Sequence, residues 1–249
     1  MEIIILALIV FCTSTLFSMI GLGGAIFYVP FFYWLTGDFI SSVTIALLLN
    51  TVTSGSAAIT YIRKGMVDFK VAIPFIIASM TGAQIGAYFT QVIPVSLLLF
   101  ALTILMIFVG EEMIFSKAQL LYKGKHFSDH RRYPAIIVAG FVIGTIAGMI
   151  GVGGGTFVVP LLLVLGFTIK RAAASSGFIV LFTSLSAFVA HASSWDPEIH
   201  MLAAVAIASF FGAQLGSHIM HSRIRPETLQ KMFGVILWIM ALKMLSGMI

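Results

Sequence analysis

The chain has 249 residues, of which 60% are hydrophobic and only 9% are charged, and its net charge is +5. Because soluble domains carry about 25% charged residues, this composition excludes an ordinary soluble fold and predicts an all-α integral membrane protein. The basic residues lie in short loops rather than on one face, which argues against a nucleic-acid partner. The single cysteine, Cys12, excludes an internal disulfide and a cysteine-based metal site.

Ten apolar segments follow one another along the chain. Most approach the ~20 residues that a membrane-spanning helix needs, but the second and the seventh are too short to span upright, and each follows a glycine-rich sequence. We predict that each short segment forms a helical hairpin with the segment before it, with the glycine turn buried in the membrane. The segments are Ile3–Ile20, Ala25–Leu35, Ser41–Tyr61, Phe69–Thr90, Val95–Phe115, Pro134–Ile150, Thr156–Phe167, Ala172–His191, His200–Met220 and Leu229–Ile249.

A glycine-rich motif occurs twice at an offset of 130 residues (149 − 19 = 130). Its first copy is Met19–Gly24 and its second is Met149–Gly154. A Gly-Ala-Gln-x-Gly segment at Gly82–Gly86 recurs at Gly212–Gly216 with the same offset. Two motifs in one register indicate an internal duplication. The predicted units are a first membrane repeat at residues 1–116, a basic linker at 117–133 and a second membrane repeat at 134–249.

Loop charges predict that the two halves are inserted with opposite topology, because basic loops stay in the cytoplasm. The basic pair Arg63–Lys64 corresponds to the start of the acidic loop Ser193–Glu198, and the uncharged pair Ile40–Ser41 corresponds to Lys170–Arg171. The sequence therefore predicts an inverted-topology repeat, in which each half is a Gly-tipped helical hairpin plus three transmembrane helices. In this arrangement the chain is a multi-pass protein of the cell (inner) membrane, with both termini outside the cytoplasm and the linker 117–133 inside it.

The glycine turns predict a central anion site. The segment after each turn begins a new helix, whose unpaired N–H groups carry part of the positive end of the helix dipole and bind anions without a charged side chain. In an inverted repeat, two such turns frame one site near the middle of the membrane. The acidic residues all lie in predicted loops or near the ends of spans, whereas a cation transporter normally places a carboxylate at mid-depth.

The candidate substrate-binding residues are the turn glycines and the neutral polar side chains of the spans that follow. Each polar candidate also has a structural interpretation. Ser and Thr in membrane helices often bond within their own helix or to a neighbour, and Gln84 and Gln214 lie in small-xxx-small segments that first indicate close helix packing. The candidate set is Gly21, Gly23, Gly24, Gly151, Gly153, Gly154, Gly155, Asn50, Thr51, Thr53, Ser54, Ser176, Thr183, Ser184, Gln84 and Gln214.

These residues resemble the TauE/SafE sulfite exporter family of membrane permeases. The resemblance rests on the paired glycine motifs, the loop Tyr61–Asp68 and the two Gly-Ala-Gln-x-Gly segments, and it extends over essentially the whole chain. It implies transport of a small sulfur-containing anion, such as sulfite, sulfoacetate or another sulfonate or carboxylate, and no enzyme activity. The positions that match the family's glycines are Gly21, Gly23, Gly24, Gly151, Gly153 and Gly154.

The leading hypothesis is a small-anion transporter that works by alternating access, with one half rocking against the other around the central site. The alternatives are an anion channel and a metal or cation transporter. An intramembrane enzyme would need a base at mid-depth beside Ser175 or Ser176, and the sequence offers no convincing histidine there. We expect no cofactor, and the expected partners are the anion and the lipid bilayer. The sequence specifies neither a coupling ion, H+ or Na+, nor the direction of transport, nor the oligomeric state.

Overall fold

The computed structural model describes residues 2–115, 129–192, 199–220 and 226–246, and the secondary-structure elements of those ranges are α-helices. Residues 117–128 of the predicted linker and the predicted acidic loop at 193–198 lie outside the described residues. In chain order the helices are α1 (Glu2–Ile20), α2 (Ala25–Thr36), α3 (Phe39–Arg63), α4 (Phe69–Val92), α5 (Val95–Phe115), α6 (Asp129–Ile150), α7 (Gly155–Val164), α8 (Ile169–His191), α9 (Ile199–Ile219) and α10 (Pro226–Ser246).

Seven of these helices, namely α1, α3, α4, α5, α6, α8 and α9, are long and apolar enough to cross a membrane. The prediction of an all-α, multi-pass membrane protein is thereby confirmed. Helices α2 and α7 have 12 and 10 residues, or about 18 and 15 Å at 1.5 Å per residue, against a hydrocarbon core of about 30 Å. The short helices therefore fall where the sequence predicts them, each directly after a glycine turn.

Polar loop residues set where the helices begin and end. Asp38 accepts a hydrogen bond from the Ser41 N–H at 2.9 Å and caps the start of α3. Asp68 caps α4 in the same way, and Gly37, with φ of 70°, ends α2. Because the cap decides the first turn, α3 begins at Phe39, two residues before the apolar run predicted to start at Ser41.

The two sequence halves are interleaved rather than placed side by side. Helix α4 of the first half packs along α6 of the second, and α1 packs along α9. Glycines make both approaches close, because a Cβ added to Gly82 would overlap the Phe141 carbonyl oxygen and one added to Gly216 would overlap the Thr15 carbonyl oxygen. The small-xxx-small segments are thus surfaces on which helices pack.

Contacts along α4 and α6 show that these two helices are parallel. Gly82 meets Phe141 and Thr145, and Gly86, one turn later, meets Thr145 and Met149. The contacts of α1 with α9 advance in the same way, so these helices are parallel too. Helix α9 in turn runs parallel to α3, and α4 runs parallel to α8, as their hydrogen-bonded pairs show.

Helices α3 and α8 run in opposite directions. Asn50 in α3 bonds Ser184 in α8, whereas Tyr61, further along α3, contacts Gly177, which lies earlier in α8. Since α1 and α9 follow the direction of α3, and α4 and α6 follow that of α8, equivalent helices of the two halves are antiparallel in each of these three pairs. The pairs are α1 with α6, α3 with α8, and α4 with α9.

Two bundles result from this packing. We call α1, α2, α3 and α9 the first bundle and α4, α6, α7 and α8 the second bundle, and the two meet along α3 and α8. Helices α5 and α10 pack against each other, and Trp238 Nε1 donates to the Ile107 carbonyl there at 3.2 Å. Because α4 and α9 each pack in the bundle of the other half, the packed units differ from the sequence halves.

Candidate functional site at the two glycine turns

Each glycine turn reverses the chain through left-handed backbone conformations. Side chains with a Cβ rarely adopt such φ values, so the backbone itself requires glycine at the three positions that both motifs share. Gly24 and Gly154 are also the residues from which α2 and α7 start. The six φ values are 77° at Gly21, 85° at Gly23, 110° at Gly24, 81° at Gly151, 71° at Gly153 and 82° at Gly154.

Both turns converge on Asn50, near the middle of α3. A Cβ added to Gly23 would overlap Asn50 Oδ1, and one added to Gly153 would overlap Asn50 Nδ2. A Cβ on Gly155 would overlap the carbonyl oxygen of Leu22, which belongs to the first turn. Residues 21–24 and 151–155 are all buried, as irregular backbone at membrane depth must be unless it lines a cavity. The two glycine turns therefore meet inside the protein. The predicted hairpins differ from the structure, because α2 packs along α3 and not along α1, and α7 packs along α8 and not along α6.

The carboxamide of Asn50 joins the two halves. Its Oδ1 accepts a hydrogen bond from the Ala25 N–H at 3.2 Å, at the first residue of α2, and its Nδ2 donates to Ser184 Oγ at 2.6 Å. Asn50 and Ser184 are both fully buried. Asn50 thus satisfies one of the N–H groups that the start of α2 leaves unpaired, and it links α3 to α8. We call Gly23, Gly153, Asn50, Ser54 and Ser184 the central cluster.

Ser54, Thr156 and Ser176 carry buried hydroxyls that have no hydrogen-bond partner in the described part of the chain. Ser54 Oγ lies 2.8 Å from the position that a Cβ on Gly23 would take. A buried hydroxyl without a partner costs on the order of 1–3 kcal/mol, and native structures leave few of them. Thr156 is absent from the predicted set, although comparing the repeats residue by residue would have shown a hydroxyl where the first half has Ile26.

The threonine candidates form hydrogen bonds between or within helices. Thr53 bonds Ser209 of α9 at 2.6 Å, and its equivalent Thr183 bonds Ser79 of α4 at 2.7 Å. Thr51 donates to a carbonyl of its own helix at 2.8 Å. The structure therefore does not bring these hydroxyls together at the central cluster.

The two glutamine candidates lie at matching helix interfaces. Gln84 Nε2 donates to the Ser186 carbonyl at 2.6 Å, and Gln214 Nε2 donates to the Ser56 carbonyl at 3.0 Å. Both members of the first pair are related to those of the second by the offset of 130 residues. These contacts match the packing interpretation, and a ligand role for the glutamines stays a prediction.

The central cluster offers neutral donors and no charged side chain. Asp38 and Asp68 cap helices in loops, and Glu111 and Glu112 are exposed near the end of α5. Across the described ranges, no three His, Cys, Asp or Glu side chains come together. The cluster presents N–H, hydroxyl and carboxamide groups, and the first-turn N–H groups add the positive end of two helix dipoles. This chemistry suits an anion.

The central cluster is closed on both sides. A Cβ added to Gly21 would overlap the Ala173 carbonyl oxygen of α8, and one added to Gly151 would lie 2.6 Å from Cγ1 of Val43 in α3. The two contacts are equivalent, because Val43 and Ala173 are separated by 130 residues. Since α3 and α8 are antiparallel, the contacts lie on opposite sides of Asn50. The two glycine turns are therefore packed against α3 and α8 on opposite sides of Asn50.

Known proteins match the chain over nearly its whole length. Residues 6–244 match the family model described as Sulfite exporter TauE/SafE. The Probable membrane transporter protein YunE of Bacillus subtilis is 29% identical over 260 residues, which is 95% of each chain. The Probable membrane transporter protein y4hK of Sinorhizobium fredii is 24% identical over 247 residues, 98% of each chain. No solved structure matches the chain.

Proposed function

We propose that this chain, which belongs to the sulfite exporter TauE/SafE family of membrane transporters, carries a small anion that contains sulfur. Sulfite, sulfoacetate and other sulfonates or carboxylates are the substrates we propose. The family and the relatives are transporters and not enzymes, so the central cluster is interpreted as a binding site and not as a catalytic one.

One observation carries the proposal, namely the convergence of the starts of α2 and α7 on one buried, neutral cluster. Helix N-termini bind anions through N–H groups and the helix dipole. Inside the protein the lower dielectric constant makes these interactions stronger than they are in water. The same surroundings disfavour a cation, because the cluster has no carboxylate to pair with it.

Transport by alternating access is the second part of the proposal. We infer that the moving units are the first and second bundles, not the sequence halves, because α4 and α9 pack in the bundle of the opposite half. Parting Gly21 from Ala173 would connect the central cluster to one side of the membrane, and parting Gly151 from Val43 would connect it to the other. A channel would instead open both contacts at once in its conducting state.

The orientation of the chain belongs to the same proposal. The antiparallel directions of equivalent helices support insertion of the two halves with opposite topology. We place the loop between α3 and α4, with Arg63 and Lys64, in the cytoplasm because it is basic. The linker 117–133 then lies inside the cell and both termini lie outside the cytoplasm, in the cell (inner) membrane.

Thermal unfolding of the purified protein across an anion panel tests the binding site. A ligand that binds only the folded state stabilises it by RT ln(1 + [L]/Kd), which is about 2.7 kcal/mol at 100 times Kd. We expect sulfite or a sulfonate to raise the melting temperature at matched ionic strength, with sulfate, thiosulfate, taurine, acetate and chloride as comparisons. Stabilisation by metal cations alone, with every anion inert, would replace this function with metal or cation transport.

Counterflow in proteoliposomes tests the mechanism. An unlabelled anion on the far side should accelerate entry of the labelled one, because a carrier returns faster when it is loaded. Flux without this acceleration would favour an anion channel while leaving the central site in place.

A further inference from the structure

The two-fold relation between the halves fails at the centre of the molecule. We propose that the anion binds on one side of the central cluster only, at the first turn of α7, and that Asn50 permanently occupies the corresponding position at the first turn of α2. This inference rests on the proposed anion transport and names the part of the site that holds the anion.

The first turn of α2 is already capped. Its Ala25 N–H donates to Asn50 Oδ1 at 3.2 Å, so a carboxamide oxygen stands where an anion's oxygen would otherwise be held. The next residue, Ile26, is apolar and fully buried. The first N–H of α2 is therefore already paired, and Ile26 supplies no hydroxyl at the position of Thr156.

The first turn of α7 lacks such a cap. The residue equivalent to Asn50 is Val180, which is fully buried and carries no acceptor. Within the described residues, the N–H groups of Gly155 and Thr156 have no acceptor, as expected of a helix start without a side-chain cap. These N–H groups are left for a ligand.

Next to the serine of the facing helix, the two turns have the same local geometry. Ser54 Oγ lies 2.8 Å from the position of a Cβ on Gly23, and Ser184 Oγ lies 2.6 Å from that of a Cβ on Gly153. The face of α8 therefore meets the second turn as the face of α3 meets the first. On this basis Val180 is placed at the start of α7 as Asn50 is placed at the start of α2.

A buried hydroxyl points to a ligand on the α7 side. Thr156 is 4% exposed, and its hydroxyl has no partner in the described chain. It belongs to the same first turn of α7 as the unpaired N–H groups. Ser176 is also buried and without a partner there, but it lies one helical turn from Ala173, which meets Gly21, and therefore lies nearer the first glycine turn.

The hydroxyl of Thr156 belongs to the second half alone, because the first half has Ile26 at the equivalent position. The first half has unpartnered buried hydroxyls of its own, on Tyr28 and Ser54, but the first N–H of its helix α2 is already paired with Asn50. Two N–H groups and one hydroxyl without a cation suit an oxyanion with at least two oxygens, such as a sulfonate, a sulfite or a carboxylate.

The affinity of the purified full-length protein for sulfite tests the inference, with Thr156→Val compared against Ile26→Val, the substitution at the equivalent position. Thr156→Val keeps the shape and removes one hydrogen bond to a charged ligand, so we expect sulfite affinity to fall by about tenfold or more. Ile26→Val should change it less than about twofold. Val180→Asn, which supplies α7 with its own carboxamide, should abolish sulfite binding, with a melting curve without ligand as the check on folding.

The outcomes separate this inference from the function on which it rests. If the unmodified protein binds sulfite and Thr156→Val binds it as tightly, the one-sided site is overturned and anion transport stands. Equal losses in Thr156→Val and Ile26→Val would likewise overturn it, in favour of a site shared by both helix starts. If the unmodified protein binds no anion of the panel, both the site and the function fail.

Discussion

The two halves are alike at the interfaces between their helices but differ in the central cluster. Between the helices several bonds recur, as the Gln84–Ser186 pair shows by its copy on the other side of the molecule. At the centre the halves diverge, because Asn50 has Val180 as its equivalent and Thr156 has Ile26. Packing is thus duplicated, whereas the groups that would face a ligand are not.

The duplicated packing has a mechanistic meaning. A transporter must exchange between two open states whose free energies differ by only a few kcal/mol. If the chain works by alternating access as proposed, closing contacts at equivalent positions, Gly21 with Ala173 and Gly151 with Val43, would give the two open states similar energies. In the proposed one-sided site, an unequal centre would leave this balance largely intact and would fix where a single anion sits.

The largest expected effect comes from crowding either turn. Gly153→Ala puts a Cβ on Asn50 Nδ2 and Gly23→Ala puts one on Asn50 Oδ1, in both cases at a positive φ. Both variants should therefore lose transport of the stabilising anion, measured as uptake into proteoliposomes. Each added Cβ would displace an atom of the Asn50 carboxamide, so neither turn should tolerate the change.

Gly166→Ala is the matched control for these variants. Gly166 has φ of 87° but nothing within 4 Å of an added Cβ, so it carries only the cost of the left-handed backbone, about 1–2 kcal/mol. Transport by Gly153→Ala at the level of Gly166→Ala would show that the approach of the turn to Asn50 is irrelevant to function.

A labelling experiment assigns each half a direction across the membrane. Lys70 and His200 are both exposed, occupy the second position of α4 and of α9, and are equivalent residues. In a background with the exposed Cys12 replaced by Ser, we expect a membrane-impermeant maleimide to label His200→Cys in intact cells. Lys70→Cys should react only after permeabilisation.

The two cysteine variants control for each other, because permeabilised cells should label both. Reaction of both from the same side of intact membranes would rule out opposite insertion of the halves. In that case the two glycine turns would not enter the central cluster from opposite faces of the membrane.

Much of the fold follows from hydropathy and glycine because both act locally. The apolar runs predict the spans, and a motif with three glycines per copy predicts a turn, since left-handed φ values exclude other residues. The limit of the apolar run does not predict the start of α3, which Asp38 sets by capping. A cap is a hydrogen bond and leaves no trace in hydropathy.

The interleaving of the halves could not be predicted, because the sequence shows which helix faces are small but not which faces meet. Contacts at equivalent positions that are made by different side chains are equally hard to predict from the sequence. The Tyr61 hydroxyl donates to the Ser18 carbonyl, and at the equivalent position His191 Nε2 bonds the Gly148 carbonyl at 3.0 Å. Thr156 was not predicted for a related reason. A single hydroxyl next to the glycine motif stands out only once the structure places that turn beside Asn50.

The smallest expected effect concerns the helix interfaces. Gln84→Leu and Gln214→Leu each remove two hydrogen bonds to a neighbouring helix, one with a backbone carbonyl and one with a Ser or Thr hydroxyl. Bonds of this kind between membrane helices contribute about 0.6 kcal/mol each on average. Reversible unfolding in mixed detergent should therefore show two similar losses of about 1 kcal/mol in the free energy of unfolding. Sulfite affinity should stay within about twofold of the unmodified protein, because these bonds lie outside the central cluster. A loss of affinity in one variant and not in the other would extend the asymmetry of the centre into the helix interfaces.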